Sequence, residues 1–249
     1  MLLLHPGFIA DGMRPLLDEP SLQAFRLIAY HRRGDGKSDR AAGQASIRGE
    51  AADALGLLDV LGVNRAHLVG MSMGAVVAIQ AALDAPERVA TLTVMEPLLG
   101  FALDPAASAF VAAAAQEAIP RFMSGDAAGA LDVWLAAAFG SGFRPVLDEA
   151  LPGAWTTAVD DAATAFGVEL PALQAWTVGR DELRKITVPT LSLVHVADDW
   201  PGFAQIHDIL LTVVPGCEGA EVDVPTHLLH IADPSAVARP LAQFLARHQ

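Results

Sequence analysis

Gly70-Met71-Ser72-Met73-Gly74 sets one serine between two glycines, each two residues away. It follows a short β-prone run, His67-Leu68-Val69, and precedes an alanine-rich stretch, Ala75 to Leu83, that is too long for a second strand. Strand, tight turn and helix in that order project the Ser72 hydroxyl from the edge of a sheet, and the glycines let the two backbones approach closely. A serine hydroxyl is a weak nucleophile at neutral pH. To attack a carbonyl it needs an imidazole that takes its proton, a carboxylate that holds the imidazole in one tautomer, and N–H groups aimed at the developing oxyanion. The N–H of Met73, in the first turn of the following helix, is one such donor. The same pentapeptide also suits a packing turn in an ordinary βα unit, so the rest of the chain has to supply the partners.

The elements that must position them alternate along the chain. Leu2-Leu3-Leu4 predicts a strand that ends in the turn His5-Pro6-Gly7-Phe8. Phe25 to Tyr30 predicts a second strand, followed by a loop dense in glycine and charge from His31 to Asp39. A helix is expected from Ile47 to Leu61, with Ala51, Ala54, Leu55, Leu58 and Leu61 at helical spacing and a stop at Gly62. After the serine turn and its helix, Val89 to Met95 predicts a buried strand closing on Glu96-Pro97. The alternation resumes with a strand from Val188 to Val196, which ends at Ala197-Asp198-Asp199-Trp200, and a helix from Phe203 to Val213. A short strand from Glu221 to Val224, the turn Pro225-Thr226-His227 and a last helix from Pro234 to Arg247 complete the series. Such alternation implies a mainly parallel sheet with helices on both faces and a site at the carboxyl ends of the strands. Residues 1–97 and 186–249 are expected to form this core. Residues 98–185, alanine-rich, helical in pattern and holding Trp134, Trp155 and Trp176, are expected to lie over the site as a helical cap. Phe110, Phe122, Trp134, Phe139 and Phe143 are the aromatic side chains offered as pocket lining, against the ordinary alternative of packing the cap onto the core.

Composition narrows the function. With 249 residues, 53% hydrophobic and 18% charged, the chain is long and apolar enough for a substantial core. A formal net charge of −13 argues against a nucleic-acid partner or an anionic membrane surface. Cys217 is the one cysteine, so no internal disulfide is expected, and with neither a signal-like start nor an apolar membrane span the expected location is cytoplasmic. The histidines do not fall at metal-ligand spacings such as His-Glu-x-x-His, and there is no Gly-x-x-x-x-Gly-Lys-Ser/Thr loop; neither a metal nor a cofactor is expected. The expected partner is a small-molecule substrate.

Four motifs in order give the chain a resemblance to the α/β-hydrolase superfamily that runs nearly end to end. His5-Pro6-Gly7-Phe8 resembles its His-Gly oxyanion loop, and Tyr30 to Ser38 its Asp-x-Arg-Gly-x-Gly-x-Ser loop. Gly70 to Gly74 resembles its nucleophile elbow, and Thr226-His227 through Pro234 its terminal Gly-His segment. In that register Met1 lies almost on the family's third strand. The resemblance therefore implies a sheet of about six strands without the first two, and Phe25 to Tyr30 becomes a sheet edge where a homodimer could form. Pro6 replaces the usual glycine, which leaves Gly7 or Phe8 as the second oxyanion donor, and His31 stands where an acidic or amide residue is usual.

The resemblance also implies a Ser-His-acid triad. His227, in the loop between the last strand and the last helix, is the expected base, with His230 the nearby competitor. His5 and His31 are read as loop hydrogen-bonding residues, His67 and His195 as core or edge strand histidines, and His207 and His248 as helix-surface residues. The family places the acid at one of two strand ends, and this chain has a carboxylate at both. Glu96 is favoured because a lone carboxylate at an apolar strand end needs a partner; Asp199, beside Asp198, is the alternative. The expected activity is that of a serine hydrolase acting on a small, largely apolar ester, thioester or lactone. Carbon–carbon bond hydrolysis, perhydrolysis, a lyase step or a non-catalytic receptor are the alternatives.

Overall fold

The computed structural model describes residues 1–40, 45–196 and 202–248. Its centre is a six-stranded sheet in the order β2-β1-β3-β4-β5-β6, formed by β1 (Leu2–Leu4), β2 (Ile28–Ala29), β3 (Ala66–Met71), β4 (Val89–Met95), β5 (Thr190–His195) and β6 (Glu218–Val222). Every neighbouring pair is parallel. Parallel strands covered on both faces read as continuous apolar runs rather than as alternating ones, which is why β1 and β4 stand out in the sequence. Their side chains part between two cores. Leu2, Leu4, Leu68, Leu92 and Val94 face one side with helices α1 (Ile47–Val60) and α2 (Met73–Asp84). Leu3, Val69, Met71, Met95 and Leu191 face the other, where Val237, Leu241 and Phe244 of the C-terminal helix Pro234–Ala246 close the layer.

β2 is far shorter than the run from Phe25 to Tyr30 predicts. Only two residues pair with β1, while Phe25 packs edge-on against His67 with ring centroids 5.6 Å apart. A strand this short at a sheet edge offers little ladder to a partner chain. β6 starts three residues earlier than expected and stops at Val222, so Asp223 and Val224 lead into the loop that carries His227.

Between β4 and β5 the chain leaves the sheet for a series of helices. Among them are α3 (Pro105–Met123), α4 (Ala127–Phe139), α5 (Phe143–Ala150) and α6 (Ala154–Asp160), and these gather around a further core that includes Leu131, Leu135, Phe166 and Leu170. Phe8, Ile9, Leu228 and Ile231 reach into that core from the sheet side, so the helices are seated on the strand ends.

A buried charged cluster ties the same helices to the loop after β2. Arg32, only 1% exposed, pairs with Glu50 of α1 and with Glu169 of the inserted segment, and its Nη2 lies 3.4 Å from Asp35. Asp161 accepts from the Gly36 N–H at 2.6 Å, and the Thr164 hydroxyl donates to the Gly34 carbonyl at 2.8 Å. Burial, reinforced by the neighbouring Glu169, pushes the Asp35 carboxyl up to about 9 although Arg32 pulls the other way. Burial raises Glu169 as well. A carboxyl whose folded pKa lies above its unfolded value contributes stability below that unfolded value and loses it as pH rises towards the folded one. Asp35→Asn keeps a neutral side chain in place. It is therefore expected to melt at a higher temperature than the wild type from about pH 5 to about pH 9, by a margin that grows with pH. Thermal melts across that range check this, and a margin that shrinks with pH would contradict it.

Candidate active site

Ser72 sits at the junction of β3 and α2, with φ 50° and ψ −113°. The flanking glycines are required by contact. A Cβ on Gly70 would lie 2.3 Å from the Gly74 carbonyl oxygen, and one on Gly74 would lie 2.2 Å from the Leu4 carbonyl oxygen. No side chain fits between backbones that close. The Ser72 N–H donates to the Met95 carbonyl at 2.9 Å, which fixes the turn to the end of β4. Met73 opens α2, so its N–H has no carbonyl one turn back within the helix to bond and points out at the helix N-terminus.

Glu96, the residue after β4, also adopts a left-handed backbone conformation, φ 49°. Its side chain is fully buried and points to the loop after β6, where His227 Nδ1 donates to Oε2. Burial would raise this carboxyl, but hydrogen bonds from His195 and His227 outweigh it and hold the pKa down to about 2. An ionised carboxylate only accepts hydrogen bonds, so Nδ1 of His227 carries a proton and the neutral ring presents an unprotonated Nε2. The ring lies between two phenylalanines. Phe203, in the first turn of α7 (Gly202–Val213), stacks on it at 4.0 Å and 11°, and Phe139 at the end of α4 stacks at 5.4 Å and 24°. The Thr226 hydroxyl donates to the Phe139 carbonyl at 2.9 Å, which joins the His227 loop to α4.

Ser72, Met73, His227, Gly7 and Phe8 all line one cavity of about 740 Å³, counting the part open to solvent. Trp134, Phe139, Phe110, Leu170 and Leu173 contribute its apolar wall, and no charged side chain lines it among the described residues. Of the five aromatic side chains offered as lining, Phe110, Trp134 and Phe139 meet the cavity. Phe122 instead stacks on Phe166 at 5.1 Å, and Phe143 packs against Phe139 and Trp155.

The loop of Gly7 and Phe8 is held from behind by His5. The Arg32 N–H donates to His5 Nε2 at 2.8 Å, so the proton is on Nδ1, which donates to the Pro6 carbonyl at 2.7 Å. Burial, then the Arg32 charge, keep His5 well below its ordinary pKa and hence neutral. Phe8 completes the loop at φ 70°. Phe8, Ser72 and Glu96 are the three non-glycine residues with positive φ among the described residues, and all three belong to this site. Such conformations cost of order 1–3 kcal/mol each and persist where the surroundings over-determine them.

Asp199 and Asp198 lie outside the described residues. His31 is a loop residue, accepting from the Lys37 N–H at 2.9 Å and meeting Asp11 at 3.2 Å, and His67 bonds Thr91 at 3.0 Å. His207 does not sit on a helix surface. It is buried against the sheet, its Nδ1 2.8 Å from Ser192 Oγ, in room left by Gly219. His230 is buried in the short helix Leu229–Ala232 and has no hydrogen-bond partner among the described residues. His195, read as an ordinary strand histidine, lies instead on Glu96, with its N–H 2.6 Å and its Nδ1 2.5 Å from Oε1. The one sequence signal for that contact is its place at the carboxyl end of β5, next to the strand that ends in Glu96.

Among the described residues no group of three or more His, Cys, Asp or Glu side chains is placed to hold a metal ion, and no helix is long and apolar enough to cross a membrane.

Comparison with known proteins adds family and fold. A family described as having the alpha/beta hydrolase fold matches residues 1–149. Rhodomycin D methylesterase DnrP of Streptomyces peucetius is 48% identical over 81 residues, which is 31% of this chain and 26% of that protein. The 2-hydroxy-6-oxononadienedioate/2-hydroxy-6-oxononatrienedioate hydrolase of Comamonas testosteroni is 41% identical over 75 residues, 29% of this chain and 26% of that one. The matched stretch thus spans about a quarter of the length of these curated relatives. Among solved structures, the enol-lactonase from Burkholderia xenovorans LB400 superposes with a TM-score of 0.77 at 23% identity, covering 98% of this chain and 90% of that one. Carboxylesterase CesB (YbfK) from Bacillus subtilis superposes with a TM-score of 0.74 at 23% identity, covering 99% and 83%. At such identities the likeness is one of fold.

Proposed function

The chain belongs to the α/β-hydrolase fold family, and from that premise we propose that it is a serine hydrolase cleaving a small, largely apolar ester, thioester or lactone. The observation that carries the reading is one cavity lined by both a serine on a strained strand–helix turn and a histidine whose far nitrogen is bonded to a buried carboxylate. In this reading Ser72 attacks the substrate carbonyl while Nε2 of His227 takes its proton. Glu96 keeps Nδ1 protonated and stabilises the imidazolium that forms. The N–H of Met73, with that of Gly7 or Phe8, faces the tetrahedral oxyanion. Collapse expels the alcohol or thiol, which takes the proton from His227, and water then releases the acyl group by the same steps in reverse order.

The wall supports this substrate class. An apolar lining favours an uncharged acyl or alkyl group, and a free carboxylate there would lose its hydration with no Lys or Arg among the described lining residues to replace it. Residues 98–185 act in this reading as the cap that closes over the bound substrate and excludes water.

A fluorophosphonate probe reacts with an activated serine and not with an ordinary hydroxyl. Labelling of the wild-type protein, lost in Ser72→Ala, is the expected result. Folded protein that does not label would favour a receptor that uses the same pocket. A panel of p-nitrophenyl esters of increasing chain length, with a dicarboxylic mono-ester as the charged comparison, then tests the substrate class, and preference for the charged ester would contradict it.

A further inference from the structure

Glu96 has two imidazoles on it. His227 Nδ1 takes Oε2, while the backbone N–H and ring Nδ1 of His195 converge on Oε1 at 2.6 and 2.5 Å. The two histidines bond different oxygens of the carboxylate, one from the end of β5 and one from the loop after β6. We propose that His195 is a positioning residue of the triad: it anchors Oε1 so that only Oε2 is presented to His227, and it shares the negative charge that His227 would otherwise feel alone. The proposal rests on the Ser72–His227–Glu96 reading above.

The physical case starts from burial. A carboxylate removed from water with a single hydrogen-bond partner leaves lone pairs unsatisfied, at a cost of about 1–3 kcal/mol or more. It is also free to turn about its last torsion, which is broad and roughly two-fold. Two donors from His195 on the same oxygen remove both problems, and they do so at a residue whose backbone is already held at φ 49°. Because the carboxylate accepts at both contacts, Nδ1 of His195 is a donor, as Nδ1 of His227 is. A carboxylate that satisfies three donors stabilises each cation less than one that faces a single donor. Removal of the His195 ring donor therefore returns charge density to the oxygen that faces His227 and strengthens its hold on the His227 imidazolium.

Among the described residues, the titratable groups around Glu96 are His195 and His227 in contact, with His230 of the short helix after the His227 loop and His207 of α7 close enough to feel its charge. Asp198 and Asp199, next in the chain after His195, lie outside the described residues. Phe203 covers the His195 ring edge-on at 6.0 Å.

The test compares two variants with the wild type. His195→Phe keeps a flat ring and the backbone N–H but removes the ring donor, whereas His195→Asn restores an N–H near the position of Nδ1. In His195→Phe, with p-nitrophenyl butyrate, the acid limb of kcat/KM is expected to move up by about 0.5 to 1 pH unit. Its kcat is expected to fall about tenfold with KM changed less than about twofold, the pattern of a group that acts on the transition state rather than on substrate binding. In His195→Asn the limb is expected to return to the wild-type position. A limb that stays or falls in His195→Phe, or that moves equally in both variants, overturns the proposal. Should His195→Phe fail to fold, proton NMR of wild-type protein with 15N-labelled imidazoles decides. Two strongly downfield Nδ1–H signals, one for each histidine, are expected at neutral pH, and a single one overturns the proposal. Wild-type protein that neither labels with fluorophosphonate nor turns over esters while showing both signals overturns the triad reading instead, so the two failures are distinguishable.

Discussion

Ser72→Ala is expected to reduce ester turnover to below about one part in ten thousand of the wild-type kcat, with the protein folded and substrate still bound. The size follows from how a triad works. With the hydroxyl gone no covalent acyl-enzyme can form, and His227 and Glu96 have nothing to activate, so the effect of losing one member approaches that of losing all three. What remains is whatever the oxyanion donors and the apolar cavity achieve with water as the nucleophile. Folding is expected to survive because the strain at this position belongs to the backbone, φ 50°, and alanine bears it about as well as serine does. Single-turnover and steady-state rates with p-nitrophenyl butyrate, beside a thermal melt, check both parts. An alanine variant that keeps a tenth or more of the activity would leave the serine without its assigned role.

Glu96→Gln is expected to lower kcat by about a thousandfold to ten-thousandfold, although it changes one atom and no volume. In place of one carboxylate oxygen the amide brings an NH2 group, which donates and does not accept. Turned towards His227, that group stabilises the tautomer with the proton on Nε2, and the nitrogen facing Ser72 is no longer a base. Turned the other way, it meets the two donors of His195. The first orientation disarms the base, and the second leaves a buried donor facing donors. The same substitution changes the response to acid. A carboxyl held down to about 2 in the folded state contributes stability above its unfolded value of about 4.3, and loses it as pH falls from there through about 2. The wild-type protein therefore has an acid-induced loss from this group in that window, and Glu96→Gln lacks it. Activity of Asp199→Ala is the internal comparison: most of it is expected to remain, and a collapse there with an active Glu96→Gln would move the acid to Asp199.

Part of this site was legible in the residues and part was not, and the division follows sequence distance. β4 forms over the expected range because its seven residues are apolar or β-branched and suit a strand covered on both faces, with Thr91 and Thr93 buried among them and Glu96-Pro97 closing the run. The serine turn was legible because its requirement is local: two glycines where two backbones meet. The run from Phe25 to Tyr30 has the composition of a strand but pairs for two residues only, because it lies at the sheet edge and pairing there depends on its single neighbour. His195 and His207 were legible as a strand residue and a helix residue but not in their partners. Glu96 lies ninety-nine residues from His195, and Ser192 lies across the layer between helix and sheet from His207. The join between Arg32 and Glu169 was invisible for the same reason, since nothing near either residue names the other.

The three left-handed residues at this site have a consequence for how the chain tolerates change. At Ser72 and Glu96 glycine would relieve the backbone while erasing the side chain that the reading needs, so stability and function pull in opposite directions at those two positions. A trace of this backbone with every side chain removed would still mark, by three positive φ angles, the places of the proposed oxyanion loop, nucleophile and acid.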